Sequence, residues 1–242
     1  MPPPSTSPDT PPKKSARRNT PRLSQDRRVA DIILAARAVI REKGYEQASM
    51  AEIAERAGVV EGTLYRYFEN RRALLIRVAD EWFSEKLAED TGIAGIRDTR
   101  DKLRHIIWRA LQITRSEPAL SRFVLTEVRP TVDYRESRFY ALIRRFTSEV
   151  RTLCREAVAT GEFRADVPDT LMRDLVFGGM EHQTWAFLRG DGDFDTASAA
   201  DGIADVVYRG MSVRPATQDA LDAAIERIEA EADRLAGLPS AR

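Results

Sequence analysis

The seven residues from Gly62 to Phe68 combine three aromatic rings with an arginine, a threonine and a glycine. Tyrosine and threonine hydroxyls and a guanidinium group donate hydrogen bonds to phosphate oxygens and to the edges of bases. Gly62 has no side chain to hold another molecule away, and the methyl group of Thr63 fits against a thymine methyl. Leu64 and Phe68 are spaced i, i+4, so both face one side of a helix and are predicted to anchor it. The remaining side chains are predicted to contact double-stranded DNA: Tyr65, Arg66 and Tyr67.

Two short helices joined by a tight turn are predicted to position these groups. Ser49 and Glu52 form a capping box, which opens a helix that ends near Arg56. Gly58 then allows the positive φ angle of a turn, and a second helix is predicted over 61–67. A helix, a glycine turn and a second helix make a helix-turn-helix, whose second helix lies in the DNA major groove. The alternative is a helix-turn-helix that serves only for packing.

Longer helices are predicted on both sides of this motif. Gly44 ends the first of them, and Asn70 caps the next, which runs to about residue 90. Arg71 in the first turn of that next helix is predicted to hold a phosphate, together with the helix dipole. Spacings of three and four residues mark one apolar face of the first helix: Val29, Ile32, Ile33, Ala36, Val39 and Ile40.

The segment from Gly44 to Leu75, GYEQASMAEIAERAGVVEGTLYRYFENRRALL, resembles the TetR (tetracycline-repressor) family of bacterial transcriptional regulators. The resemblance implies a DNA-binding head on a body that binds a small effector and forms a homodimer. Val60 departs from the family, which often has a serine or threonine cap there. Glu61 stands where a lysine, an arginine or a small residue is common in the family. Because a carboxylate can accept a hydrogen bond from the N4 amino group of cytosine, Glu61 predicts an operator DNA sequence that differs from those of other members. The DNA contacts that the resemblance implies are Ser49, Gly62, Thr63, Tyr65, Tyr67 and Arg71.

Charge and composition narrow the class of protein. The 242 residues carry 38 basic and 38 acidic side chains, so the net charge is zero. Residues 1–72 hold 14 basic and 9 acidic groups, and this asymmetry suggests that the N-terminal part meets a polyanion. One cysteine cannot form an intrachain disulfide, and no apolar run reaches the roughly 18 residues of a membrane span. A cytoplasmic protein without a membrane partner is therefore expected.

Three regions are predicted along the chain. Residues 1–22 hold seven of the twelve prolines and a basic cluster, which predicts a disordered arm. This arm is either a solvated leader without a function or a segment whose cations add non-specific attraction to the phosphates of DNA. Residues 23–70 form the helix-turn-helix head, and 71–242 form the effector-binding and dimerisation body. Helices are predicted near 98–115, 117–128, 136–160, 168–189, 197–211 and 217–236 without strand alternation, so the fold class is all-α.

Aromatic and apolar residues of the body are interpreted either as plain core or as the lining of an effector pocket. A mostly apolar cavity would suit a lipophilic effector. The stretch FGGMEHQTW, 177–185, is similar to family members that sense fatty acyl-CoA, which makes that class a candidate ligand. The candidate pocket residues are Trp82, Trp108, Leu111, Phe123, Phe146, His182 and Trp185.

Two adjacent glycines predict an interface. Gly178 and Gly179 each cost a helix about 1 kcal/mol relative to alanine, which close helix packing would offset. With Ala200 and Ala204 on the following helix they suit a four-helix dimer interface, and the resemblance implies the same pairing. The alternative is close packing within one subunit.

The last predicted helix, 217–236, carries an apolar seam spaced 4, 3, 4, 3. The seam is too short for a coiled coil and predicts a helix that docks on the body. Its residues are Leu221, Ile225, Ile228, Ala232 and Leu235.

Other functions find little support in the residue pattern. His105 and His182 have no second histidine or cysteine at metal spacing, so no metal or cofactor is expected. The chain has no glycine-rich phosphate loop and no nucleophile motif, which disfavours an all-helical enzyme. The favoured function is a repressor that binds a palindromic operator and is released by a small effector. A ligand-independent architectural DNA binder is the other alternative. Such a protein is expected to lack a cavity, whereas a regulator that responds to an effector is expected to have one.

Overall fold

The computed structural model of the chain describes residues 20–89, 92–213 and 221–230. Within these ranges the secondary structure is helical, apart from turns and one isolated antiparallel bridge between Phe163 and Ser212. The predicted all-α fold class is confirmed. None of the described helices is long and apolar enough to cross a membrane. The helices are α1 (Thr20–Lys43), α2 (Met50–Arg56), α3 (Glu61–Tyr65), α4 (Arg71–Ala88), α5 (Thr99–Ser116), α6 (Pro118–Phe123), α7 (Arg138–Ala159), α8 (Asp169–Arg189) and α9 (Thr196–Met211).

The chain divides into two compact units, one ending at Ala79 and the other beginning at Asp80. The division falls inside α4, whereas the sequence placed the boundary between residues 70 and 71. Helix α1 begins at Thr20, so the last three residues of the predicted disordered arm are helical. Residues 1–19 of that arm lie outside the described residues.

The first unit contains α1, α2, α3 and the first part of α4. Gly44 ends α1 with a φ of 83°, and Gly58 turns the chain between α2 and α3 with a φ of 65°, as predicted. One apolar core joins these helices. Its fully buried members include Ile32, Val39, Ile40, Ile53, Leu64 and Leu74.

The second unit, the body, contains the end of α4 and helices α5–α9. Helix α5 packs along α9, and α7 packs along α8. Ion pairs reinforce the first of these contacts, because Arg104 Nε lies 2.6 Å from the Asp201 carboxylate and Arg100 Nε lies 3.1 Å from that of Asp205. The segment predicted as one helix over 117–128 consists of α6 followed by a π-helical turn, Val124–Val128. Two short 3-10 turns, Ile93–Gly95 and Tyr134–Glu136, and a helix over 221–230 complete the described elements.

Two predictions about packing are wrong. Ala200 and Ala204 are fully buried within the subunit, so they offer no surface to a partner. Residues 221–230 form the predicted helix, yet its apolar seam does not dock on the body. The side chains of Leu221, Ile225 and Ile228 are 53%, 44% and 68% exposed. The seam residues 232 and 235 lie outside the described residues.

Candidate recognition helix and effector cavity

Helix α3 is short and lacks a side-chain cap. Val60 occupies the N-cap position with φ −78° and ψ 147°, and its side chain makes no capping hydrogen bond, as its apolar character predicts. The Thr63 amide donates to the Val60 carbonyl at 2.8 Å. The helix ends at Tyr65, two residues earlier than predicted, and the Tyr67 amide closes the last turn on the Leu64 carbonyl at 2.9 Å.

The two sides of α3 differ in burial as the sequence predicted. Leu64 is fully buried and Phe68 is 7% exposed, so both anchor the helix in the head core. Thr63 and Tyr67 are half-buried. Gly62, Tyr65 and Arg66 are exposed, and together with Thr63 and Tyr67 they leave one side of the helix available for another molecule.

Ser49 is placed at the start of α2, where it fulfils half of the predicted capping box. Its hydroxyl oxygen accepts a hydrogen bond from the Glu52 amide at 3.2 Å. The Glu52 carboxylate, predicted to return to residue 49, instead lies 2.5 Å from Lys43 Nζ. Ser49 itself is exposed, so its position does not hinder the predicted contact with DNA.

Arg71 has a structural role that the sequence did not indicate. Asn70 caps α4 as predicted, accepting from the Ala73 amide at 2.9 Å. The Arg71 guanidinium donates from Nε to the Ala48 carbonyl at 2.5 Å, and from Nη2 to the carbonyls of Glu46, at 3.1 Å, and Tyr45. These bonds tie the start of α4 to the loop before α2. Backbone carbonyls leave no sequence signal, so residue pattern could not have revealed this contact.

A cavity of about 470 Å³ lies within the body. Its volume falls within the roughly 300–1,000 Å³ typical of small-molecule sites. Four phenylalanine rings, each in contact with at least one of the others, line it. The centroid of the Phe83 ring lies 5.4 Å from that of Phe139 and 5.6 Å from that of Phe146. The centroid of Phe146 lies 5.8 Å from that of Phe177. The wall is therefore largely aromatic and apolar. It also includes Trp82, Ala110, Ile113, Val124, Leu125, Ile143 and Met180.

Charged side chains border part of this cavity and form what we call the arginine rim: Arg129, Arg144, Arg173, Asp174 and Glu181. Arg129 pairs with Glu181 at 2.5 Å, and Arg173 pairs with Asp174 at 2.6 Å. The Arg144 guanidinium lies 6.0 Å from the centroid of the Tyr140 ring. Three cations against two carboxylates leave one positive charge in excess, which favours an anionic group at the rim.

Tyr134 adds a polar group to the same lining. Burial raises the pKa of its phenol above the ordinary value, and the protonated hydroxyl can donate a hydrogen bond.

The structure brings together only part of the predicted pocket. Trp82 and Phe146 line the cavity. Leu111 and Phe123 are buried, but neither is among the residues that line the cavity. The other three predicted residues are elsewhere: Trp108 lines a separate open groove, Trp185 is half-buried away from the lining, and His182 is exposed.

The lining residues that sequence reasoning missed include Phe83, Phe139 and Phe177. Phe139 and Phe146 are both buried on α7, seven residues apart, and this spacing is the one signal that could have found Phe139. No group of three His, Cys, Asp or Glu side chains is placed to hold a metal ion in the part of the chain that the structure describes.

The glycines of α8 are not explained by packing within the subunit. Gly178 and Gly179 are exposed, and a Cβ atom added at either would meet no heavy atom within 4 Å. The alternative of close packing within one subunit is therefore wrong. We use the name glycine face for seven of the exposed residues of α8 and α9, of which Gly178 also lines the cavity: Leu171, Leu175, Gly178, Gly179, Gly202, Val206 and Gly210.

Two family models match the chain. Residues 32–78 match a model described as bacterial regulatory proteins, tetR family. Residues 97–211 match a model described as tetracyclin repressor-like, C-terminal domain. The first match covers α2, α3 and the Arg71 contacts, and the second covers most of the cavity lining.

Curated and solved proteins show the same likeness. The chain is 25% identical over 183 residues to a fatty acid metabolism regulator protein of Bacillus subtilis, covering 74% of this chain and 93% of that protein. It is 25% identical over 213 residues to the HTH-type transcriptional activator FasR of Mycolicibacterium smegmatis, covering 81% and 89%. A crystal structure of FadR from Bacillus subtilis in complex with stearoyl-CoA superimposes with a TM-score of 0.63 at 23% identity, covering 75% of this chain and 98% of that one.

Proposed function

We propose, from the premise that this chain belongs to the TetR family of bacterial transcriptional regulators, that it is a repressor released from its operator by a fatty acyl-CoA. Membership makes it a ligand-responsive regulator that binds DNA through the helix-turn-helix. The observation that supports this effector is the body cavity, which joins an aromatic wall to a rim of excess positive charge.

The recognition surface consists of the exposed side of α3 and the capping residues around it. Gly62 allows close approach, and Thr63 and Arg66 face base edges or phosphates. The hydroxyls of Tyr65 and Tyr67 donate to phosphates. Ser49 and Arg71 complete the proposed contacts, although three of the hydrogen bonds made by Arg71 are directed to backbone carbonyls.

A homodimer forms through the glycine face. No neighbouring atom in the same subunit would clash with a side chain at these glycines. Close approach of the backbone of a second subunit would explain why glycine occupies these positions. Exposed leucine and valine side chains on the same face, among them Leu175 and Val206, supply apolar area to bury. Two-fold symmetry places the two recognition helices on one palindromic operator.

The effector is amphipathic. An acyl chain is buried against the aromatic wall, and each methylene removed from water contributes about 0.8 kcal/mol. An anionic group remains at the arginine rim. Similarity to proteins of Bacillus subtilis supports an acyl-CoA: a relative from that organism is named a fatty acid metabolism regulator, and FadR from the same organism was crystallised with stearoyl-CoA.

Operator release tests this function. The operator is selected from random duplex DNA with the full-length protein, and fluorescence anisotropy then follows the complex during titration with palmitoyl-CoA. We expect release of DNA at a saturating effector concentration, and no release by CoA alone, which lacks the chain. Arg144→Gln removes the excess charge of the rim and is expected to raise the palmitoyl-CoA concentration required by about five- to tenfold. A complex that persists at saturation would favour a ligand-independent architectural DNA binder.

A further inference from the structure

Two polar atoms of cavity-lining side chains have no hydrogen-bond partner within the described part of the chain. They are the indole nitrogen Nε1 of Trp82 and the hydroxyl oxygen Oγ of Ser121. The side chains belong to different helices, α4 and α6, and are only 3% and 8% exposed. The hydroxyl of Thr184, on the same lining, is satisfied, because it donates to the Glu181 carbonyl at 2.9 Å.

Such groups require an explanation. A buried donor left without a partner destabilises the fold, and native proteins retain few of them. An indole N–H can only donate, and a serine hydroxyl can donate or accept. The partner that suits both groups is therefore an acceptor. A charged acceptor would be costly among the rings of Phe83 and Phe139, whereas an uncharged oxygen would not.

We propose that the effector carries an uncharged oxygen, as a hydroxyl or carbonyl group, on the part of its chain that lies against the buried wall. This inference rests on the effector site proposed above and specifies its ligand. The Trp82 indole N–H and the Ser121 hydroxyl donate hydrogen bonds to that oxygen. The preferred effector is therefore a hydroxy- or oxo-acyl chain rather than a saturated one.

The two polar regions of the cavity recognise different ends of this ligand. Arg129, Arg144 and Asp174 of the rim are exposed, so the charged end of the effector keeps contact with solvent. Trp82 and Ser121 are buried, so the oxygen they bind is removed from water. A saturated chain satisfies the rim but leaves both buried donors without an acceptor. A site built to bind an oxygen in this way rejects the analogue that lacks it.

Calorimetric titration of the full-length protein with two kinds of ligand provides the test. The reference ligand is palmitoyl-CoA, and the others carry one hydroxyl or oxo group at successive positions along the same chain. We expect at least one oxygenated isomer to bind about tenfold more tightly than palmitoyl-CoA. Ser121→Ala and Trp82→Phe are each expected to lower this ratio of affinities by about five- to tenfold, because each removes one donor.

Thr184→Val is the matched control, since it removes from the same cavity a hydroxyl that already has a partner. The ratio of affinities, rather than either affinity alone, is expected to stay at the wild-type value. Thermal melting monitored by circular dichroism establishes that each variant is folded. If the Trp82→Phe variant is not folded, the test uses Ser121→Ala alone, because this substitution deletes only a single oxygen atom.

The outcomes separate this inference from the function on which it rests. Palmitoyl-CoA that binds as tightly as every oxygenated isomer overturns the inference and leaves the acyl effector site intact. A preference for oxygen that survives in Ser121→Ala and Trp82→Phe overturns the assignment of these two donors. Failure of the whole series to bind overturns the effector site and the inference together.

Discussion

At the scale of single residues, Arg71 shows how one side chain can hold a recognition motif in place. Its guanidinium bonds to the carbonyls of Tyr45, Glu46 and Ala48, so the loop before α2 depends on the start of α4. Arg66, five residues earlier, is exposed beside α3 and is proposed to contact DNA. Substitution of Arg71 is therefore expected to lower stability, whereas substitution of Arg66 is expected to lower operator affinity alone.

Arg71→Met is expected to lower the free energy of unfolding by about 2 kcal/mol, because it leaves carbonyls that are part-buried without their donors. Arg66→Met is the matched control, expected to weaken operator binding while leaving stability unchanged. Urea unfolding followed by circular dichroism, combined with operator binding by fluorescence anisotropy, measures both. Equal stability of the two variants would contradict the structural role of Arg71.

At the scale of elements, the glycine face of α8 and α9 is the proposed dimer contact. Gly179→Leu is expected to raise the dimer dissociation constant at least about tenfold, because a side chain would prevent the close approach of a second helix. The fold of the subunit is expected to tolerate the change, since a Cβ at this position meets no atom within 4 Å. Sedimentation equilibrium measures the association.

Ala141→Leu provides the comparison for this change. Ala141 is an exposed helical residue on α7, outside the glycine face, so the same increase in side-chain size is expected to leave dimerisation unchanged. A Gly179→Leu variant that dimerises as well as Ala141→Leu would place the interface elsewhere.

At the scale of the whole molecule, α4 is the element proposed to couple the cavity to the head. It begins with Arg71, which is bonded to the loop before α2, and it carries Trp82 and Phe83 on the cavity wall. An effector can shift this helix only if it binds the DNA-incompetent arrangement more tightly than the other.

Linkage makes this coupling reciprocal. Operator DNA is expected to weaken effector binding by the same factor by which the effector weakens operator binding, typically about 5- to 150-fold. Calorimetric titration of the effector with and without operator measures that factor. Equal affinities, for a ligand shown to release DNA, would point instead to direct competition at the head.

The basic N-terminal segment gives a second prediction at this scale. Removing residues 1–19 deletes four basic side chains and one acidic one while keeping all of α1. If these cations meet phosphates, the log–log salt dependence of operator binding flattens by about 0.9 for each lost contact. Operator affinity measured across a salt series checks this, and an unchanged slope would show that the segment takes no part in binding.

The sequence by itself determined the features that depend on contacts within a few residues. The Ser49 and Asn70 caps, the turns at Gly44 and Gly58, and the burial of Leu64 were all predicted. Each follows from the geometry of a single helical turn or from the spacing of apolar residues along one helix.

Only the tertiary structure decided which helix faces meet. Ala200 was predicted at a dimer interface and is buried in the subunit, whereas Ile225 was predicted to dock on the body and is exposed. The cavity includes Phe83 and excludes Trp185 for the same reason. An apolar stripe specifies that a face is to be buried, but its partner is set by the packing of helices far apart in the chain.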